Sequence, residues 1–390
     1  MRLRRGPDPA QTNTRPLKQI NASTMQRSIP FFFLVLALLL PVGTAAGQAI
    51  VSGTVTDAET GEGISDAHVF IAESMNGSIT SEVGAYRLNG VALGSLRLYV
   101  SVVGYEPQAM DLFIRRPGEH TYDFELQPSV TELGEVEVVA ERDARWERRL
   151  EKFIRLFIGE TPFAAQTEIV NPEVLDFTDR VGRFTARAAE TLVIENRALG
   201  YRIQYFLKEF EATGTRTSYD GEPLFEEMRP STPEEAAHWK RNRDDAFNGS
   251  LRHFLLALLD DRVEEEGFMI FQRPASRGGV AAMPTPGNGR FPIDRDEILK
   301  ASDDPQERIL DVQGFLEIVY TQETEDEAYL AWRGERGRAK YRTSMLLLEN
   351  GPTVVDLKGD VADPYGVTQF GYLAFERVAD DVPREYRPVR

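Results

Sequence analysis

From residue 50 onward, apolar and polar residues alternate with a period of two. Val51, Gly53 and Val55 interleave with Ser52, Thr54 and Thr56, ahead of a turn-rich stretch from Asp57 to Gly63. The alternation returns in Ala67, Val69 and Ile71, in Leu96, Leu98, Val100 and Val102, and in Tyr122, Phe124 and Leu126. Between these runs stand Asn76-Gly77, Asn89-Gly90, Gly94, Gly104 and Pro117-Gly118, residue types that release a chain into a turn. Successive side chains of a strand point to opposite faces, so the pattern predicts about seven short antiparallel strands in two packed sheets, an all-β sandwich over residues 50–127.

The period then changes. From Asp143 to Ile158, Trp146, Leu150, Phe153, Ile154 and Phe157 recur at helical spacing, with Gly159 as a stop. The opposite face mixes Glu147 and Glu151 with Arg148, Lys152 and Arg155, which suits docking onto a neighbouring domain rather than lying on an anionic membrane. Residues 128–159 therefore read as a connector strand and a packing helix.

Over residues 160–390 the signals are mixed. Strand alternation appears in Arg183 to Ala188, Thr191 to Ile194 and Tyr201 to Leu207, and again around Gly314 to Tyr320, Ala328 to Trp332, Arg342 to Leu348, Val354 to Leu357 and Gln369 to Phe375. Thr232-Pro233-Glu234-Glu235 supplies an N-cap, a first-turn proline and a capping-box glutamate, and Ser250 opens a second, wholly apolar helix through Leu251, Phe254, Leu255 and Leu258. Residues 273–292, rich in Pro, Gly and Ala, read as a long loop. The fold class expected is multidomain, with the N-terminal sandwich followed by an α+β, mostly antiparallel domain.

The run from Val51 to Gln108 resembles the carboxypeptidase-regulatory-like family, a transthyretin-like sandwich of bacterial envelope proteins. The likeness rests on Gly53, Asp57, Thr60-Gly61, Ala67, Val69, the Gly84-x-Tyr86-x-Leu88 element and Val103-Gly104-Tyr105; Glu82-Val83-Gly84 departs from the family's aspartate-glycine turn. This resemblance implies an accessory domain for binding or scaffolding. Residues 126–143 are similar to the segment that follows such a sandwich in TonB-dependent outer-membrane receptors, so an adaptor of that uptake system is an alternative, with residues 131–141 as its contact. "IVNPEVLDF", "LVIENRALGYRIQYFLKEF", "NGSLRHFLLALL" and "GYLAFERVADDVPREYRP" resemble envelope proteins that carry the sandwich followed by a region of unassigned function.

Ahead of the sandwich, Arg27 precedes an apolar run from Phe31 to Leu40, then Pro41 and small residues to Ala46, the order of a secretory signal peptide and too short for a membrane span. Residues 1–48 thus read as a basic lead plus signal, with cleavage after Ala46 or as late as Ala49, and translation from Met1 or Met25. The expected location is the periplasm or outer-membrane surface, with no transmembrane span in the mature chain.

Composition narrows the chemistry. A net charge of -17 argues against nucleic acid, which needs clustered cations. With no cysteine there are no disulfides, thiol nucleophiles or lipid anchoring through Cys. The 42% hydrophobic content fills real cores, and the mean hydropathy of -0.35 describes a water-facing protein.

None of His68, His120, His238 and His253 has a glutamate three residues later, as a zinc carboxypeptidase needs, and His120 with Asp123 would point to opposite faces of a strand. Ser250 beside His253 reads as a helix cap, Glu264 to Glu266 as a solvated strand edge, and Gly287-Asn288-Gly289 as a loop. No catalytic residue, cofactor or metal is expected. Tyr86, Tyr105, Trp239, Trp332, Tyr365 and Tyr372 are candidates for a ligand or partner surface. The function expected is a non-catalytic envelope binding or scaffolding protein that engages a protein, peptide or glycan; the alternative in the enzyme class is a hydrolase with a site in residues 160–390.

Overall fold

The computed structural model describes residues 48–129, 144–274, 289–334 and 339–389. The signal run at 31–40, the connector segment 131–141, and Gly287 and Asn288 lie outside the described residues. The alternating N-terminal runs become β1 (Gln48–Asp57), β2 (His68–Ile71), β3 (Gly77–Ile79), β4 (Ala85–Ala92), β5 (Gly94–Ser101), β6 (Gln108–Ile114), β7 (Gly118–Thr121) and β8 (Phe124–Leu126). One sheet runs β4-β1-β7, with β8 also on β1; the other runs β3-β2-β5-β6. Val51, Val55, Val69, Leu88, Leu98, Val100 and Leu126 from both sheets meet fully buried between them. The expectation of wholly antiparallel strands is corrected, because β7 and β8 run parallel to β1. A hairpin joins only antiparallel neighbours, and β1 is separated from β7 and β8 by the rest of the domain, so nothing local forces the pair antiparallel.

Beyond the sandwich, α1 (Ala144–Phe157) precedes β9 (Thr167–Ile169), β10 (Leu175–Arg180), β11 (Arg183–Ala188), β12 (Leu192–Asn196), β13 (Tyr201–Thr213) and β14 (Arg216–Glu227). These six strands form one antiparallel sheet around β13. Tyr201 to Tyr205 pair with β12 on one edge and β14 on the other, and Phe210 to Thr213 pair with β11 and β14. Thus β11 and β12 lie end to end along one side of β13, and β14 covers the other. The apolar stripe of α1 packs on this sheet, with Phe153 5.0 Å from Phe210 and Phe157 5.0 Å from Tyr205 between ring centroids.

Two helices follow, α2 (Pro233–Phe247) and α3 (Leu251–Leu259). Both caps form as the sequence predicts: Thr232 Oγ1 accepts from Glu235 N–H, and Ser250 Oγ from His253 N–H. A second antiparallel sheet then forms from β15 (Phe268–Arg273), β16 (Phe291–Pro292), β19 (Phe315–Thr324), β20 (Tyr341–Leu348) and β22 (Val367–Gly371). Strands β17 (Leu299–Ala301), β18 (Glu307–Leu310) and β21 (Thr353–Asp356) make a small third sheet. Phe254, Leu255 and Leu258 of α3 are buried with Phe268, Leu316, Ile318 and Leu346.

Two strand expectations in this region fail. Ala328 to Trp332 lie in a helical turn, Glu327–Trp332, because Asp326 caps it by accepting from Tyr329 N–H at 2.7 Å. Strand β22 stops at Gly371, whose φ of 73° turns the chain into a short helix over Tyr372–Phe375.

The sandwich is docked onto the second region through a sheet face. On β2 and β5, Val69, Ile71, Leu98 and Val100 point inward, whereas Phe70 and Tyr99 point out and are nevertheless buried. Phe206, on the opposite face of β13 from Tyr205 and Leu207, covers them, stacking on Phe70 at 4.7 Å and lying 5.8 Å from Tyr99. Leu224 completes the cluster, and a side chain at Gly77 would meet its methyl groups at 3.1 Å, so glycine permits the approach. Around this cluster Arg97 donates to Glu222 Oε1 at 3.1 Å, and Lys358 Nζ donates to Ser95 O at 2.9 Å. The backbone joins as well: Glu73 N–H donates to Pro223 O and Phe225 N–H to Ser74 O, each at 2.9 Å, closing part of the free edge of β14.

Truncating Phe206 removes the cover of two buried aromatic rings. Phe206→Ala is expected to lower the unfolding free energy of the full chain by about 3–5 kcal/mol in urea denaturation; a loss under about 1 kcal/mol would mean the joint contributes little.

Candidate functional site

The candidate aromatics fall into two classes. Tyr86, Trp239 and Tyr372 are buried, so they are corrected from ligand surface to core. Tyr86 donates its hydroxyl to Tyr122 O at 2.6 Å inside the sandwich, and Trp239 donates Nε1–H to Arg197 O at 2.9 Å. The Trp239 ring lies against Gly200, where a Cβ would stand 2.2 Å from the indole. Tyr372 donates to Asp326 Oδ2 at 2.7 Å, with the Arg342 guanidinium 4.2 Å from its ring, and burial pushes its hydroxyl pKa up. Pairing aromatic bodies with satisfied polar tips is how such residues sit inside a core.

The others reach the surface. Trp332 is 42% exposed and stacks on Tyr329 at 5.7 Å, in a cluster with Phe375 and Tyr372. Tyr365 is 51% exposed and donates to Asp220 Oδ1 at 2.8 Å. Tyr105 donates to Asp57 Oδ2 at 2.7 Å, which lowers the carboxyl pKa and raises that of the phenol; the bond ties together two sandwich turns. Trp332 and Tyr372 come together, whereas Tyr86 and Tyr105 belong to the sandwich and Trp239 to α2.

The reactive-looking pairs are placed as follows. His120 lies 3.0 Å from Arg116 O, while Asp123 Oδ1 accepts from Thr54 N–H and Oγ1–H. Nδ1 of the buried His253 accepts from Gly249 N–H at 3.0 Å, so its proton sits on Nε2, facing Glu266 Oε2 at 3.3 Å. The Ser250 hydroxyl takes the helix N–H instead of the imidazole, so the three residues are not aligned for nucleophilic attack. Glu266 is also a correction: residues 263–267 form a turn, not a strand edge, and Glu266 is buried with Arg262 Nη2 3.0 Å away. Among the described residues no group of three or more His, Cys, Asp or Glu is arranged to hold a metal, and no helix is long and apolar enough to cross a membrane.

Open concave surface lies elsewhere, at the end of the six-stranded sheet. One depression of about 360 Å³ is bordered by the last turns of α1, the β10–β11 turn and the β13–β14 turn. A second, of about 310 Å³, lies on the outer sheet face. Arg180 and Arg183 line both. Sequence reasoning missed this site because its cations come from α1 and from the β10–β11 hairpin, and only the packing of α1 on the sheet brings the two sets together.

Residues 51–138 match the model of the CarboxypepD_reg-like domain. This segment is a CarboxypepD_reg-like domain. No curated protein matches the chain. Similar solved structures include a type II cohesin-X-dockerin complex from Acetivibrio cellulolyticus, at 13% identity and a TM-score of 0.19, covering 20% of this chain and 58% of that one. They also include Klebsiella pneumoniae 5-hydroxyisourate hydrolase, at 14% identity and a TM-score of 0.17, covering 20% and 90%. A DUF3823 family protein from Parabacteroides merdae gives 9% identity and a TM-score of 0.18, covering 46% and 81%. The chain therefore spans less than two thirds of the cohesin-X-dockerin chain.

The chain end that runs between these elements carries a buried acid. Asp380, 9% exposed, accepts from Thr161 Oγ1 and Arg377 N–H, each at 3.1 Å, yet burial pushes its pKa from 3.8 up to about 7. Unfolded, the carboxyl titrates near its ordinary value. Between about pH 4 and 7 the folded state therefore holds on this group a proton that the unfolded state has lost, and the group's contribution to stability falls as pH rises through that window and is constant above it. Asp380→Asn keeps an acceptor for both bonds and removes the titration. Urea unfolding at about pH 5 and pH 8 is expected to show a smaller loss for the variant than for the wild type; equal losses would refute the assignment.

Proposed function

We propose that this chain is a non-catalytic binding protein of the bacterial envelope, in which the CarboxypepD_reg-like domain braces the α+β region and the α+β region engages the partner. The observation that carries this reading is the burial of Phe70 and Tyr99 against Phe206. The outer face of β2 and β5 is committed to the chain itself, so an external partner finds its concave surface on the six-stranded sheet. Both depressions are open. Leu156, Phe184 and Ala212 form the floor of the larger one, and cations, carboxylates and threonine hydroxyls predominate in the lining, the groups of a recognition surface rather than of a water-excluding active site. Export is part of this proposal and rests on the leader pattern at residues 25–46.

The test is a paired measurement on the purified chain: binding to peptide and glycan arrays, and turnover of fluorogenic peptides and glycosides with and without chelator. Retained binding without turnover is the expected outcome. Reproducible turnover abolished by a single carboxylate substitution would establish the hydrolase alternative instead.

A further inference from the structure

We propose that the two depressions around Arg180 and Arg183 form one groove for an acidic saccharide, a sugar chain carrying carboxylates. This rests on the binding reading above and names the chemistry of its ligand.

The groove is written into the pairing of three strands. Asp176 faces Arg187, Thr178 faces Thr185 and Arg180 faces Arg183 across β10 and β11; Thr185 then faces Glu211 and Arg183 faces Thr213 across β11 and β13. Directly paired residues share a sheet face, so these residues stand together on the face opposite Phe177, Phe184 and Phe210, which pack under α1. On the helix side Asp179, Phe184 and Ala212 stand with Lys152 and Arg155, so the groove runs from the outer face around the end of the sheet, with Arg180 and Arg183 lining both parts. The cations divide into two sets. Arg183 is held by Glu211 at 2.5 Å, Arg187 by Glu209 at 3.5 Å, and Lys152 lies over the Phe184 ring at 4.3 Å and 3.9 Å from Asp179. Arg155 and Arg180 are exposed and make no ion pair among the described residues, although the chain carries a net charge of -17.

That division decides the ligand. Two unpaired guanidiniums beside fixed ones present planar donor forks to a carboxylate. The carboxylates and threonine hydroxyls between them accept from and donate to sugar hydroxyls. A membrane surface would be repelled by Asp176, Asp179 and Glu209, and the apolar side chains of the lining, Leu156, Phe184 and Ala212, are packed into the core beneath α1 and are not presented for insertion. A volume of about 360 Å³ sits at the small end of ligand pockets, which suits one end of an oligosaccharide better than a folded partner.

The experiment is isothermal titration of the full chain with trigalacturonate, neutral galactotriose, inorganic phosphate and phosphatidylglycerol vesicles. The variants are Arg155→Gln with Arg180→Gln, and Arg229→Gln, an exposed arginine outside the groove, as the single-charge control. Trigalacturonate is expected to bind in preference to the other three probes. Affinity should drop about tenfold for each groove arginine removed, and hold in the control. Unchanged melting of the double variant separates this loss from unfolding. No binding of trigalacturonate, equal weakening by the control, or equal binding of phosphate or vesicles would overturn the proposal. Absence of trigalacturonate binding together with absence of turnover leaves the non-catalytic reading standing.

Discussion

Phe70 and Tyr99 point away from the sandwich core, and a sheet that left them in water would expose two large aromatic faces side by side. A sheet with one solvated face ordinarily carries polar residues outward. The chain resolves this with a matching exception on β13, where Phe206 points away from the residues buried under α1. Each anomaly covers the other. The contact sets β13 and β14 against the CarboxypepD_reg-like domain, and the loop at Glu73 and Ser74 then closes part of the edge of β14 with backbone bonds. Once β13 is placed, so are β11 and β12 along its other side, and α1 above them.

The rest of the molecule is stitched to this frame by the last residues of the chain. Ala379 donates its N–H to Ile158 O at the end of α1 and accepts from Asn196 Nδ2, while Arg384 N–H donates to Glu73 O. Tyr386 donates to Asp244 Oδ1 of α2 at 2.6 Å. A terminal segment held at so many points brings carboxylates such as Asp380 into the interior, where burial favours the protonated form. Elsewhere the interior holds a charge by pairing it: Arg273 and Glu317, both buried on neighbouring strands, are joined by a hydrogen-bonded ion pair, and Arg290 adds a second donor to the same carboxylate.

The division of labour follows from this geometry. The sandwich touches the second region at Phe206 and at residues 222–225, toward one end of the β13–β14 hairpin. The cationic groove is built at the opposite end, around the Gly214 turn and the β10–β11 turn. One end of a single hairpin is thereby covered by the sandwich, and the other carries the open, cation-lined surface.

The sequence by itself was enough for the sandwich, for α1 and for both helix caps, because these depend on neighbours in the chain: alternation sorts side chains to two faces, a stripe at 3.6 residues defines a helix, and a Thr or Ser oxygen reaches a N–H three residues on. The same local reading misplaced Ala328 to Trp332, where a short apolar run carries no period long enough to separate helix from strand and the Asp326 cap decides. It also took Tyr86, Trp239 and Tyr372 for surface, since an aromatic residue looks the same in sequence whether another element covers it or not. Tertiary structure alone decided the joint at Phe206, the parallel pairing of β7 and β8, and the meeting of Arg155, Arg180 and Arg183. The first two are contacts between segments far apart in the chain, and in the third Arg155 reaches the Arg180–Arg183 turn only because α1 packs on the sheet; such contacts are selected by the packing of whole faces, which no local spacing records.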